Sequence, residues 1–145
     1  MTSRPTVPIL IAMVIFLQAW VERAHASPAG LWLTQGRDAK IRVSSCGKAL
    51  CGVIAWLRDP IDSETGRPAT DKLNPDPSKR ARSLIGVHLF VGMRPSGPGR
   101  WSGHIYNAQD GQTYRGGVVV RGPTGLQVEG CLLAFCGSEV WTRAR

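Results

Sequence analysis

The chain has 145 residues, with 18 Lys and Arg against 10 Asp and Glu, a net charge of +8. That length holds one domain with a modest core. Basic residues are scattered without a Lys/Arg block, so the charge speaks for solubility or for acidic surfaces, and not for nucleic acid.

In chain order, residues 1–26 read as a secretory signal peptide. Arg4 gives a positive start, Val7 to Trp20 is a mostly apolar run of 14 residues, and Ala24-His25-Ala26 supplies the small-x-small pattern before Ser27. The run falls short of the ~20 residues needed to span a bilayer. Cleavage after Ala26 would leave residues 27–145 as a single domain, periplasmic or secreted and not membrane-spanning. Loss of Arg4, Arg23 and Glu22 leaves 16 basic and 9 acidic residues, net +7.

From there the hydrophobic period is two almost everywhere, which predicts strands. Leu31 to Thr34 opens. Ala39 to Ser44 alternates, with Ile41 and Val43 inward and Lys40 and Arg42 outward. Gly47 to Leu50 turns the chain, and Cys51 to Leu57 is apolar on both faces. Val87 to Met93 and Arg100 to Tyr106 follow. Asp110-Gly111 marks a hairpin turn into Gln112–Val120. Gly122 to Gly125 turns again, and Leu126–Cys131 and Cys136–Arg143 complete about eight strands.

The fold class expected is all-β: a small antiparallel up-and-down barrel, since closure removes exposed edges. Trp32 near one end and Arg143 near the other look like the calycin arrangement, in which a last-strand Arg covers a first-strand Trp. An Arg over an indole is worth about 0.5–2 kcal/mol.

A long polar segment from Asp59 to Pro77 interrupts the pattern after the third strand. It holds Asp59, Asp62, Glu64, Asp71 and Asp76, five of the nine acidic residues that remain after cleavage. Loops beyond roughly 12–15 residues are usually functional or disordered. At its end Ser78 to Leu84 reads as a short helix, with Asp76 as N-cap, Pro77 at the first helical position and Gly86 as the stop.

All four cysteines, Cys46, Cys51, Cys131 and Cys136, lie after the leader. An even count in an exported chain argues for disulfides, and the Cys-x4-Cys spacings are unlike a zinc site. Four cysteines allow three pairings; the local bridges Cys46–Cys51 and Cys131–Cys136 are expected, each closing a tight hairpin.

The chain resembles a family of exported bacterial proteins catalogued as domain of unknown function 2147. The likeness rests on Gly-x-Trp at Trp32, Cys-Gly-x-x-Leu-Cys-Gly at Cys46, and Trp-Leu-x-x-Pro-x-Asp-x-x-Thr-Gly-x-Pro from Trp56 to Pro68. It continues with Asp71-x-x-Asn74-Pro75-Asp76, Arg80-x-Arg82, Trp101-x-Gly-x-Ile-Tyr and Trp141-Thr-Arg. Ser83 and Ala108 stand where proline is common in that family. The resemblance implies a secreted or periplasmic lipocalin-like domain and implies no activity.

An enzyme reading would draw on Asp62, Asp71 and Asp76 as a carboxylate cluster with His104 as acid–base. Each carboxylate has a local role available, as turn, cap or partner of Arg80 or Arg82, and no nucleophile, phosphate-loop or metalloprotease motif occurs. A Ca²⁺ loop pattern is also missing. No catalytic residue, metal or cofactor is therefore expected.

The expectation is a binder of a small apolar or amphipathic ligand. Asp62, Asp71, Asn74, Asp76, Arg80 and Arg82 would form its lid or polar mouth, and Trp56, Trp101, His104 and Tyr106 its pocket or wall. The alternative is an interaction module that docks an envelope protein or an anionic surface through the loop and the basic face.

Overall fold

The structure, a computed structural model, describes residues 25–145, so the leader reading of residues 1–26 falls almost wholly outside it. Eight strands run in chain order: β1 (Gly30–Leu33), β2 (Ala39–Cys46), β3 (Ala49–Leu57), β4 (His88–Gly97), β5 (Arg100–Asn107), β6 (Gln112–Arg121), β7 (Gly125–Leu132) and β8 (Phe135–Arg143). Each pairs antiparallel with the next, and β8 returns to β1, closing an up-and-down barrel.

Up-and-down order sends alternate connections to opposite ends. Turns at Gly47-Lys48, Pro98-Gly99 and Gly122–Thr124 lie at one end with the start of β1 and the end of β8. Connections 34–38, 58–87, 108–111 and 133–134 lie at the other.

The first end is plugged. Trp32 is fully buried, and its indole N–H donates to the Pro28 carbonyl at 2.8 Å. The Arg143 guanidinium lies over the ring, 4.2 Å from its centre. Arg143 also donates to the carbonyls of Ser27 (2.8 Å), Ala29 (3.0 Å) and Pro123 (2.8 Å), tying both ends of the domain to one turn. Gly30 permits this. Its φ is +142°, and a Cβ there would fall 2.4 Å from Arg143 Nη1.

Packing fills the half of the barrel next to the plug. Trp32, Val43, Leu50, Phe90, Met93, Val118 and Leu126 are buried together there. The Phe90 ring sits so close to Gly52 that a Cβ at Gly52 would lie 2.4 Å from it. Each such buried side chain is worth about 1.5–3 kcal/mol.

Both expected disulfides are present, Cys46–Cys51 at the plugged end and Cys131–Cys136 at the other. They fit an oxidising compartment outside the cytoplasm. The expected helix is reduced to a single 3₁₀ turn, Pro77–Lys79. Asp76 caps it as predicted, accepting from the Ser78 N–H at 3.0 Å, and Pro77 leads it. It stops because the following backbone is used elsewhere. The Arg82 carbonyl accepts from the Asp71 N–H, the Ala69 carbonyl from the Leu84 N–H, and Thr70 bridges to Ser83. A second helical turn would break that pairing.

Replacing Arg143 with Met should lower stability by about 1–3 kcal/mol, through loss of the indole contact and of the carbonyl bonds. Urea unfolding followed by tryptophan fluorescence measures it; a change under about 0.5 kcal/mol would mean that the guanidinium does not hold the plug.

Candidate functional site

The polar connection 58–87 is an ordered cover built around Asp71, which is fully buried. Its Oδ2 accepts from Arg82 Nη2 (2.7 Å), Arg82 Nε (3.0 Å) and Asn74 Nδ2 (2.8 Å), and its Oδ1 from the Tyr106 hydroxyl (2.5 Å). Burial pushes the Asp71 pKa up. The donors Tyr106, Asn74 and Arg82, with the Arg82 charge, outweigh burial and hold it below the ordinary carboxylate value. Tyr106 is pushed the other way, to about 12, by burial and by the adjacent carboxylate.

The cluster lies where the wall is incomplete. β4 and β5 pair only between Arg94–Gly97 and Arg100–Ser102. Beyond that ladder β5 continues to Tyr106 without a β4 partner, and Asp71 bonds it there. Asn74 passes the link on: its Oδ1 accepts from the Asp76 N–H at 2.9 Å, and its carbonyl accepts from Arg80 Nε at 2.8 Å. The β5–β6 turn completes the clamp. Gly111 has a φ of +72°, and a Cβ there would fall 2.0 Å from the Leu73 carbonyl oxygen.

Asp62 stands apart from Asp71. It accepts from the backbone N–H of Glu64 and Thr65 and from Lys72 Nζ at 3.3 Å. Those backbone bonds, then Lys72, hold its pKa low; Ser78 does the same for Asp76.

Beneath the cover lies a cavity of about 1020 Å³. Its inner wall is apolar: Ile41, Ile54, Leu57, Leu89, Ile105 and Val128, with Trp141 at the side. The loop contributes Thr70, Lys72, Leu73 and Leu84, and the rim runs through Asp38, Gln109, Leu132 and Phe135. The barrel is thus filled at one end and hollow at the other.

The four residues expected in the pocket or wall divide between the two. Trp56 is on the outer wall, 40% exposed, with the Lys40 ammonium 5.3 Å from its ring centre. His104 is exposed on the outer wall opposite Arg115. Trp101 packs against the filled core opposite Val118. Tyr106 alone of the four lines the cavity, with its hydroxyl committed to Asp71. Of the loop residues, Asp71, Asn74 and Arg82 come together, Arg80 and Asp76 brace them, and Asp62 sits on a neighbouring turn.

Sequence reading missed the apolar lining and an inward carboxylate, Glu139, which stands opposite Val128. Gly103 and Gly116, glycines that from sequence alone could leave space or allow strand bending, prove to belong to a longer row. Gly103 pairs with Gly116, Gly116 with Gly130, and Gly130 with Gly137. These positions share the inward face with Trp101, Val118, Leu126 and Trp141, two or four residues along each strand.

A closed eight-stranded barrel, plugged at one end and hollow at the other, is lipocalin-like in architecture. Among solved structures the chain is similar to protein HP1028 from the human pathogen Helicobacter pylori, described as belonging to the lipocalin family. The identity is 21% and the TM-score 0.68, over 83% of this chain and 84% of that one, which establishes the shared fold. No curated protein matches the chain. The chain belongs to the family of uncharacterized proteins conserved in bacteria, DUF2147, whose match covers residues 30–143.

Asp71 titrates below its unfolded value of about 3.9. Its contribution is therefore complete above about pH 4 and is lost as the pH falls through the lowered value. Asp71→Asn should cost about 2–4 kcal/mol at neutral pH by leaving Arg82 unpaired, and should flatten the acid limb of the stability curve. Chemical unfolding between pH 2 and 7 tests both, on the order of the range where carboxylates titrate; a parallel, undiminished acid limb in the variant would sink the assignment.

Proposed function

We propose that this protein is an exported, periplasmic binder of a small apolar or amphipathic ligand, held in the hollow half of the barrel, and that it performs no catalysis. The cavity carries this reading. Its volume of about 1020 Å³ lies at the top of the ~300–1,000 Å³ range typical of ligand sites, and its wall is apolar with a few polar groups at the rim. The loop acts as a fixed cover, with Asp71, Asn74, Arg82 and Tyr106 holding it to the barrel. Catalysis is disfavoured by placement: Asp71 is buried in its ion pair, Asp62 and Asp76 cap turns, and His104 is on the outside.

A second reading rests on charge. In the connections at the hollow end Arg37, Arg58, Arg67, Lys72, Lys79, Arg80 and Arg82 face seven acids: Asp38, Asp59, Asp62, Glu64, Asp71, Asp76 and Asp110. The remaining wall and plugged end hold nine bases from Lys40 to Arg145 and only Glu129 and Glu139. An anionic envelope surface or protein would therefore meet the wall, and not the loop. Such docking weakens with salt on the ~8 Å screening length of physiological buffer, whereas apolar binding does not.

Native mass spectrometry with lipid extraction, on protein purified from a bacterial periplasm, should find a co-purified small molecule. Gly137→Phe should displace it, because a side chain at Gly137 enters open space within the cavity lining. A ligand-free mass for the wild type, together with salt-sensitive retention on anionic vesicles, would move the function to the basic wall.

A further inference from the structure

We infer that the ligand carries a cationic ammonium group, received by Glu139 in an alcove beside Gly137. The inference rests on the cavity being a ligand site.

Among the described residues, Glu139 is the one strand carboxylate on the inward face of the barrel. It stands opposite Val128, two residues from Trp141 and two from Gly137 on the same face. Its Oε1 accepts from the Trp141 indole N–H. Its Oε2 has no protein donor, and Glu139 takes part in no ion pair, among the described residues.

The indole alone does not explain a glutamate. A glutamine oxygen would accept from the indole N–H as well, so the indole by itself does not call for a carboxylate in this cavity lining. A carboxylate in the lining of an otherwise apolar cavity complements a ligand that carries the opposite charge.

Beside it there is room. Along the glycine row, neighbouring side chains occupy three of the four positions. A Cβ at Gly103 would lie 3.2 Å from Met93, one at Gly116 2.8 Å from Ile105, and one at Gly130 3.4 Å from Tyr114. A Cβ at Gly137 would meet nothing within 4 Å. The row therefore ends in a gap two residues from Glu139 on the same face, and the apolar inner wall of the cavity can take a chain. The mouth adds no repulsion, since its seven bases and seven acids cancel despite the net charge of +8.

The probes are dodecylamine, a lysophosphatidylethanolamine, laurate and dodecyl maltoside, titrated into the full domain by calorimetry. The wild type should bind an ammonium probe more tightly than laurate. Glu139→Gln should weaken the ammonium probe by roughly tenfold, about 1.4 kcal/mol, and leave the maltoside unchanged. The variant keeps the indole acceptor, and Glu139→Asp should retain the ammonium preference if Gln disturbs folding. Which ammonium probe responds tells a free amine from a lipid headgroup. Equal affinities in wild type and Glu139→Gln, with maltoside bound by both, would overturn this inference and spare the cavity reading. If the wild type bound none of the four, both would fall.

Discussion

The barrel depends on a seam only two residue pairs long. β1 and β8 meet at Trp32 with Arg143 and at Leu33 with Thr142, whereas β5 and β6 share eight pairs. Two antiparallel pairs cannot hold a barrel shut unaided. The guanidinium adds to the seam, lying on the indole and reaching three carbonyls from both ends of the domain, and the Ala144 N–H donates to the Leu31 carbonyl at 2.8 Å. All other ladders join strands consecutive in sequence. The seam alone must bring the two ends of the domain together, so its closure carries the largest chain-entropy cost of any ladder in the barrel.

With one end plugged, the rest of the interior had to be either filled or hollow. It is hollow because the aromatic side chains around it are turned outward or held at its edges. Trp56 faces out beneath Lys40, Phe135 stands 82% exposed on the rim, and the Tyr106 hydroxyl is bound to Asp71. Glycine occupies the inward positions of four adjacent strands at the level where filling stops. The polar loop then completes the wall where β4 and β5 part, and a buried carboxylate with four donors fixes it there.

Much of this was legible in the sequence, and the failures have physical causes. Period-two alternation located the strands because one face of each is buried. The Trp32 and Arg143 pair signalled closure, and the Cys-x4-Cys spacings proved to be local bridges. Asp76 and Pro77 correctly announced a helical start, but no local signal reveals that Arg82 and Leu84 pair back to Asp71 and Ala69. Apolar residues on both faces of the third strand left the side of Trp56 open; the β2–β3 register shifts between Lys40 and Ile41 and turns it outward. Gly103 and Gly116 stand out along the chain as glycines within strands, but the row does not. It emerges only when the strands are folded on their turns: Gly103 and Gly116 are equidistant from the Ala108–Gly111 turn, and Gly130 and Gly137 from Leu133-Ala134.

The plug has one more consequence. Because Arg143 grips the Ser27 and Ala29 carbonyls, both ends of the domain emerge at the filled end. The mouth, with Leu133 and Phe135 at its edge, is at the far pole. Any tether, fusion partner or immobilising tag joined at either terminus therefore leaves the opening facing away from whatever holds the protein. Joining the termini to each other, with new ends cut elsewhere, would preserve the same orientation of the interior.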